Sequence, residues 1–174
     1  MLLGGGKKVS KYDKESFFKD IEDLFSFFNN HIVSVYNKVV VLTAKKPLPF
    51  LIEIEACFFH LARAFEILTN VSDKSGDEER ERVAKILRTN IQRARGHLER
   101  LGLDGVKLLW ELVYDNLTRL YEENYIEAKD YNEFIKLSID AREKETKRIG
   151  DSSKEEIIKA YEKAINKILK KQMD

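Results

Sequence analysis

One cysteine, two prolines and eight glycines are all the punctuation that this chain of 174 residues carries. A single thiol excludes an internal disulfide and a cysteine-based zinc site. Strands need turn residues every ~8–12 positions, and so few Gly and Pro cannot supply them, which excludes a sheet protein. No window approaches the ~18 uncharged apolar residues of a membrane span. The run Val39-Val40-Val41-Leu42 is short and lies between Lys38 and Lys45. Neither sign of charge prevails, with 31 Lys and Arg against 30 Asp and Glu. That balance argues against a protein whose main task is coating nucleic acid. The first residues, Met1-Leu2-Leu3-Gly4-Gly5-Gly6, lack the ~7–15-residue apolar stretch of a signal peptide and hold three of the eight glycines. A flexible tail over residues 1–11, one helical-bundle domain over 12–174, a cytoplasmic location and no membrane partner are therefore expected.

What is present is helical rhythm. Phe17, Ile21, Leu24, Phe28, Ile32, Val35, Val39 and Leu42 recur at steps of three and four, the spacing of one helix face. Asp13 suits the N-cap of this helix, and Pro47-Leu48-Pro49 stops it. A second helix over about Phe50–Val71 has its stripe at Ile54, Cys57, Phe58, Leu61, Phe65 and Leu68, with Ile52, Phe59 and Ile67 on the far side. A helix apolar all round is normally buried, so this one is expected at the centre of the bundle. Residues 72–77 read as a loop by composition.

From Asp77 the stripe Leu87, Ile91, Ala94, Leu98, Leu101, Gly105, Leu108, Leu112 keeps its phase across Gly102 and Gly105. A loop would reset that phase, so one long helix over 77–123 is expected, kinked at most. The two glycines cost it about 2 kcal/mol against alanine, tolerable where a neighbouring helix must approach closely. Such a rod would overhang a compact bundle, leaving Trp110, Tyr114, Tyr121 and Tyr125 to be covered by the last two helices or a second subunit. A fourth helix over 126–148 ends at Gly150, and a fifth begins at Ser152 or Ser153, since Ser152 with Glu155 and Ser153 with Glu156 each make a capping box. The fold class is all-α, an up-and-down bundle of about five helices around one long central helix.

Catalytic chemistry finds no constellation. No Glu stands three residues before His31, His60 or His97, so the Glu-x-x-His pair of carboxylate-bridged metal bundles is missing, as is His-Glu-x-x-His. Counting residues from the turns places His97 well away in level from His31 and His60, so convergence of the three on a metal is not expected. Cys57 lies in the most apolar stripe, as an inert thiol does. No catalytic residue, metal or cofactor is assigned. Two polar features stand out. Glu53, His60, Arg63 and Glu66 form a polar cluster on the otherwise apolar second helix, either a small site or a solvated face. The stretch 82–100 carries Arg88, Arg93 and Arg95 and is able to contact RNA or DNA phosphates, although acidic-then-basic order is also what the helix dipole rewards.

In size and class the chain bears comparison with the small all-helical nucleases of prokaryotic defence systems. Their mark is an Arg followed, after four to six residues, by a His. Arg93 and His97 enclose only three, and no other Arg stands at that distance before a histidine. The mark is missing, so no nuclease activity is expected, and the comparison leaves room only for an inactive, binding relative. The function expected is a non-catalytic one in protein–protein interaction or assembly. Self-association would run through the long helix and the apolar second helix, giving a homo-oligomer; the alternative is a nucleic-acid-binding module.

Overall fold

The computed structural model describes residues 14–70, 76–146 and 153–171. The tail expected over 1–11, residues 72–75 of the expected loop and the stop at Gly150 lie outside these. All regular structure among the described residues is helical: α1 (Lys14–Phe27), a π-helical turn (Phe28–Val33), α2 (Ser34–Thr43), α3 (Leu48–Asn70), α4 (Asp77–Glu122), α5 (Ala128–Thr146) and α6 (Lys154–Lys171). The backbone stays right-handed through Phe27, Val33 and Ser34, so α1, the π turn and α2 make one rod. Five rods alternate in direction, which is the expected up-and-down bundle.

The π turn corrects the expected stripe. Phe27 rather than Phe28 is buried, and the next core aliphatic is Ile32, five residues on. An i→i+5 turn spans that step and returns Ile32, Val35 and Val39 to the core side. Leu42, expected inside, is exposed. The rod ends at Ala44 in the left-handed region (φ 53°), and α3 begins within the Pro47-Leu48-Pro49 stop, where proline at a helix start costs no hydrogen bond.

α4 is unbroken across Gly102 and Gly105, at 46 residues or roughly 69 Å. The glycines are there for close approach. A Cβ on Gly102 would lie 2.8 Å from Ile158 Cδ1 and 3.2 Å from Ile32 Cδ1; one on Gly105 would lie 2.6 Å from Phe50 Cζ and 3.0 Å from Val35 Cγ1. Three other rods therefore cross the middle of α4 at contact distance. Gly96 differs: nothing lies within 4 Å of its missing Cβ. Gly96→Ala is expected to raise stability by about 0.5–1 kcal/mol through helix propensity alone, measurable as a higher urea midpoint with unchanged slope.

The long helix does not overhang. α3 runs antiparallel along its first half, with His60 against Asn90 and Glu53 against His97. α5 runs antiparallel along its second half, with Ser138 on Trp110 and Tyr131 stacked on Tyr121 at 4.5 Å. α6 lies parallel to α4 over the middle, from Lys154 at Glu99 to Tyr161 at Trp110. Its start is the expected capping box: Ser153 N–H donates to Glu156 Oε2 at 3.0 Å, and Glu156 N–H to Ser153 Oγ at 3.2 Å. Ile157, Ile158, Ile165 and Ile168 then enter the core, each contributing ~1.5–3 kcal/mol by burial.

The expected centrality of α3 is overturned, since α4 holds the centre. α3 buries Phe50, Cys57, Leu61 and Ala64 and leaves Leu51, Ile52, Phe58, Phe59 and Phe65 exposed. One narrow stripe is enough to seat it on α4, with Ile54, Ile67 and Leu68 half-buried beside it, and the five exposed side chains stay largely open to solvent.

Candidate functional site

The four residues of the α3 polar cluster part company. Arg63 and Glu66 pair with each other at 2.6 Å on the solvent side. Glu53 and His60 instead turn to α4. His97 Nδ1 donates to the Glu53 carboxylate at 2.7 Å, Arg100 Nε stands 3.7 Å from the same oxygen, and His60 Nδ1 donates to Asn90 Oδ1 at 3.3 Å. The imidazoles of His60 and His97 stack at 5.4 Å. The separation in level expected for His97 is therefore corrected. Cβ bonds lean toward each helix's N-terminus, so on antiparallel α3 and α4 the two side chains lean toward each other. The network closes on itself, and no buried side-chain N or O among the described residues lacks a partner. It fixes the register of α3 on α4.

A second polar group escaped the sequence reading. His31, on the π turn, is buried, and its Nδ1 donates to Glu162 at 3.3 Å. Its Nε2 faces Glu155 at 3.9 Å, across a cleft of about 200 Å³ lined by Asp23, Ser26, Asn30 and Arg95. A hydrogen bond from Lys159, at 2.7 Å, holds the Glu155 carboxyl below its ordinary range. A carboxylate orienting an imidazole is the frame of an acid–base pair. Among the described residues the hydrogen bonds of His31 go to Glu162, and Ser26 Oγ in the same cleft accepts from Asn30 Nδ2 at 3.2 Å. Among the described residues, no group of three His, Cys, Asp or Glu has metal-holding geometry.

The three arginines do not share a face. Arg95 lines the His31 cleft and is bound to Glu99 at 3.1 Å, with Lys154 on the other oxygen of that carboxylate. Arg93 is exposed and, at ~100° per residue, points roughly 160° away from Arg95. Arg88 is half-buried on the Arg95 side.

A third cleft, of about 240 Å³, lies among Lys107, Trp110, Arg142, Glu145 and Tyr161. Lys107 pairs with Glu145, and Tyr161 donates to the same carboxylate at 2.9 Å. Burial first, and then the Glu145 contact, push the Tyr161 hydroxyl up from 10 to about 12. Unfolded Tyr161 loses its proton near pH 10 and folded Tyr161 near 12, so the unfolded state gains between those values. Wild-type stability is expected to fall by about 2–3 kcal/mol over that window, and Tyr161→Phe to flatten the fall. Urea melts at stepped alkaline pH read both.

The last candidate is apolar. Phe17 meets Phe65 edge-on at 5.3 Å, and Phe18 lies beside Phe17 at 5.5 Å. One rung further along, Phe25 and Phe58 wall an apolar slot floored by Leu24, Cys57 and Leu61. Burial raises the Cys57 thiol to about 11, which makes it a packing residue. The outer rings stay bare, with Phe59 69% exposed, Phe58 54%, Phe18 53%, Phe25 42% and Phe65 38%. At ~200 Å² per ring Phe18, Phe25, Phe58 and Phe65, with Leu51 beside them, leave roughly 450 Å² open on one side of α3, while Phe59 and Ile52 point away beyond Glu55 and Glu66. The largest apolar patch of a monomer is ~300–600 Å² and is often functional. Comparison with known protein families, curated proteins and solved structures finds no match. The functional reading therefore stands on this geometry.

Proposed function

We propose that this chain is a non-catalytic assembly protein that works by binding protein, its own copies first. The carrying observation is the aromatic strip on α1 and α3, left bare beside a core that buries Phe17, Phe50 and Phe134. Folding gains nothing from exposed phenylalanines, whereas association buries them at about 25 cal/mol per Å². The part-buried histidine pairs support the same reading: Glu53–His97 holds α3 on α4 and His31–Glu162 holds the π turn on α6. The alternative, nucleic-acid binding through Arg88, Arg93 and Arg95, has less support, because Arg93 points away from the other two and Arg95 is bound to Glu99.

Native mass spectrometry of the purified protein separates the two. Species at integral multiples of the 20.3 kDa chain mass, unchanged by nuclease, are the expected result. A single chain carrying nuclease-sensitive mass would overturn the assembly reading in favour of the alternative. A bare single chain at every concentration would overturn self-association.

A further inference from the structure

We infer that the α1–α3 face is an isologous interface that takes a second copy of this chain; the inference rests on the assembly reading and names its surface. The roughly 450 Å² of open apolar area matches the apolar share, ~56–58%, of the ~800 Å² that each partner gives to a standard stable interface. Its spacing asks for a helical partner. Phe18 and Phe25 on α1, and Leu51, Phe58 and Phe65 on α3, each recur at seven residues, the interval at which helices interlock side by side.

Its levels ask for a like partner. α1 and α3 are antiparallel, with Phe18 and Phe65 on one rung and Phe25 and Phe58 on the next. A two-fold axis along the helices lays α1 of one copy over α3 of the other without shifting any level. Each aromatic rung then meets its own kind, which is the self-complementarity an isologous contact requires.

The rim agrees. Along α1 the exposed order is Lys19 then Glu22; along α3 it is Arg63 then Glu66. The same two-fold brings Lys19 within about two residues, or ~3 Å, of the Glu66 level and Glu22 within as much of the Arg63 level. Opposite signs meet at these two places, while exposed Glu15 stands as near the Glu66 level with like sign. A membrane surface or nucleic acid would call for a basic rim, and α3 carries Glu53, Glu55 and Glu66 against Arg63 alone.

Phe25→Glu and Phe58→Glu test the inference against Ile139→Glu, which places the same charge at an exposed apolar residue of α5, off the face. Mass in solution is read by light scattering at matched concentration, with helicity and melting by circular dichroism. The milder Phe58→Ser repeats the test should a glutamate variant lose its fold. The expected result is a twofold drop in mass for the Phe25 and Phe58 variants, with helicity kept, while Ile139→Glu stays at the wild-type mass. Folded Phe25 and Phe58 variants that keep that mass would overturn this surface and leave the assembly reading intact. A wild type already at single-chain mass would overturn both.

Discussion

Trp110→Ala is expected to remove about 3–5 kcal/mol of folding stability, a large share of the ~5–15 kcal/mol that holds a domain of this size together. Trp110 is where α4, α5 and α6 meet. Its Nε1 donates to Ser138 Oγ at 2.7 Å on α5, its ring lies 6.5 Å from Phe134 and 6.2 Å from Tyr161, and Arg142 caps its face at 4.4 Å. Truncation opens a cavity and leaves the buried Ser138 hydroxyl without its donor. Trp110→Phe separates the two costs: it keeps most of the packing, loses the hydrogen bond and is expected to fall between alanine and wild type. Urea unfolding followed by circular dichroism gives all three values. A Trp110→Ala protein within 1 kcal/mol of wild type would mean that the three rods are not joined here.

Gly105→Val is expected to destabilise by about 1–3 kcal/mol or more through overpacking. The new Cβ starts 2.6 Å from the Phe50 ring and 3.0 Å from Val35. Both neighbours are buried side chains on two different rods, so the branch pushes two helices off α4 rather than one side chain aside. The ~1 kcal/mol of helix propensity that leaving glycine returns does not offset this. Gly102→Ala is expected to cost less, because its nearest contact is Ile158 Cδ1, the free end of a side chain that can swing. With Gly96→Ala stabilising, three glycines of one helix should give three different outcomes, ordered by what stands opposite each. Equal effects at Gly96 and Gly105 would remove close approach as the reason for the glycines at the centre of α4.

Those glycines also show how far the fold was legible in the sequence. The apolar rhythm kept its phase through residues 102–105 because the backbone there is ordinary helix, and a period of three and four detects just that. The Ser153–Glu156 box and the Pro47-Pro49 stop were legible for the same reason: their chemistry is local. The π turn was not, since the buried step from Phe27 to Ile32 can be read as the ordinary spacing Phe28 to Ile32 by moving one residue. The site suffered more. A lone histidine in a stripe carries no mark of its partner, and Glu162 lies 131 positions from His31. Counting backbone levels missed the meeting of His60 and His97, which comes from the lean of the side chains.

The misplacement of α3 is the most informative of these differences. Composition states how much apolar surface a helix carries but not whose surface covers it. The rods bury one stripe of α3, with Phe50 its one buried ring, and leave Phe58, Phe59 and Phe65 open. The sequence property that suggested a buried helix is therefore kept, with the cover assigned to a second molecule.

Sedimentation velocity of the wild-type protein, run from low to high micromolar concentration, tests that assignment most directly. The account predicts a reversible shift toward the coefficient of a two-chain particle as concentration rises. A single-chain coefficient unchanged across the whole range would contradict it.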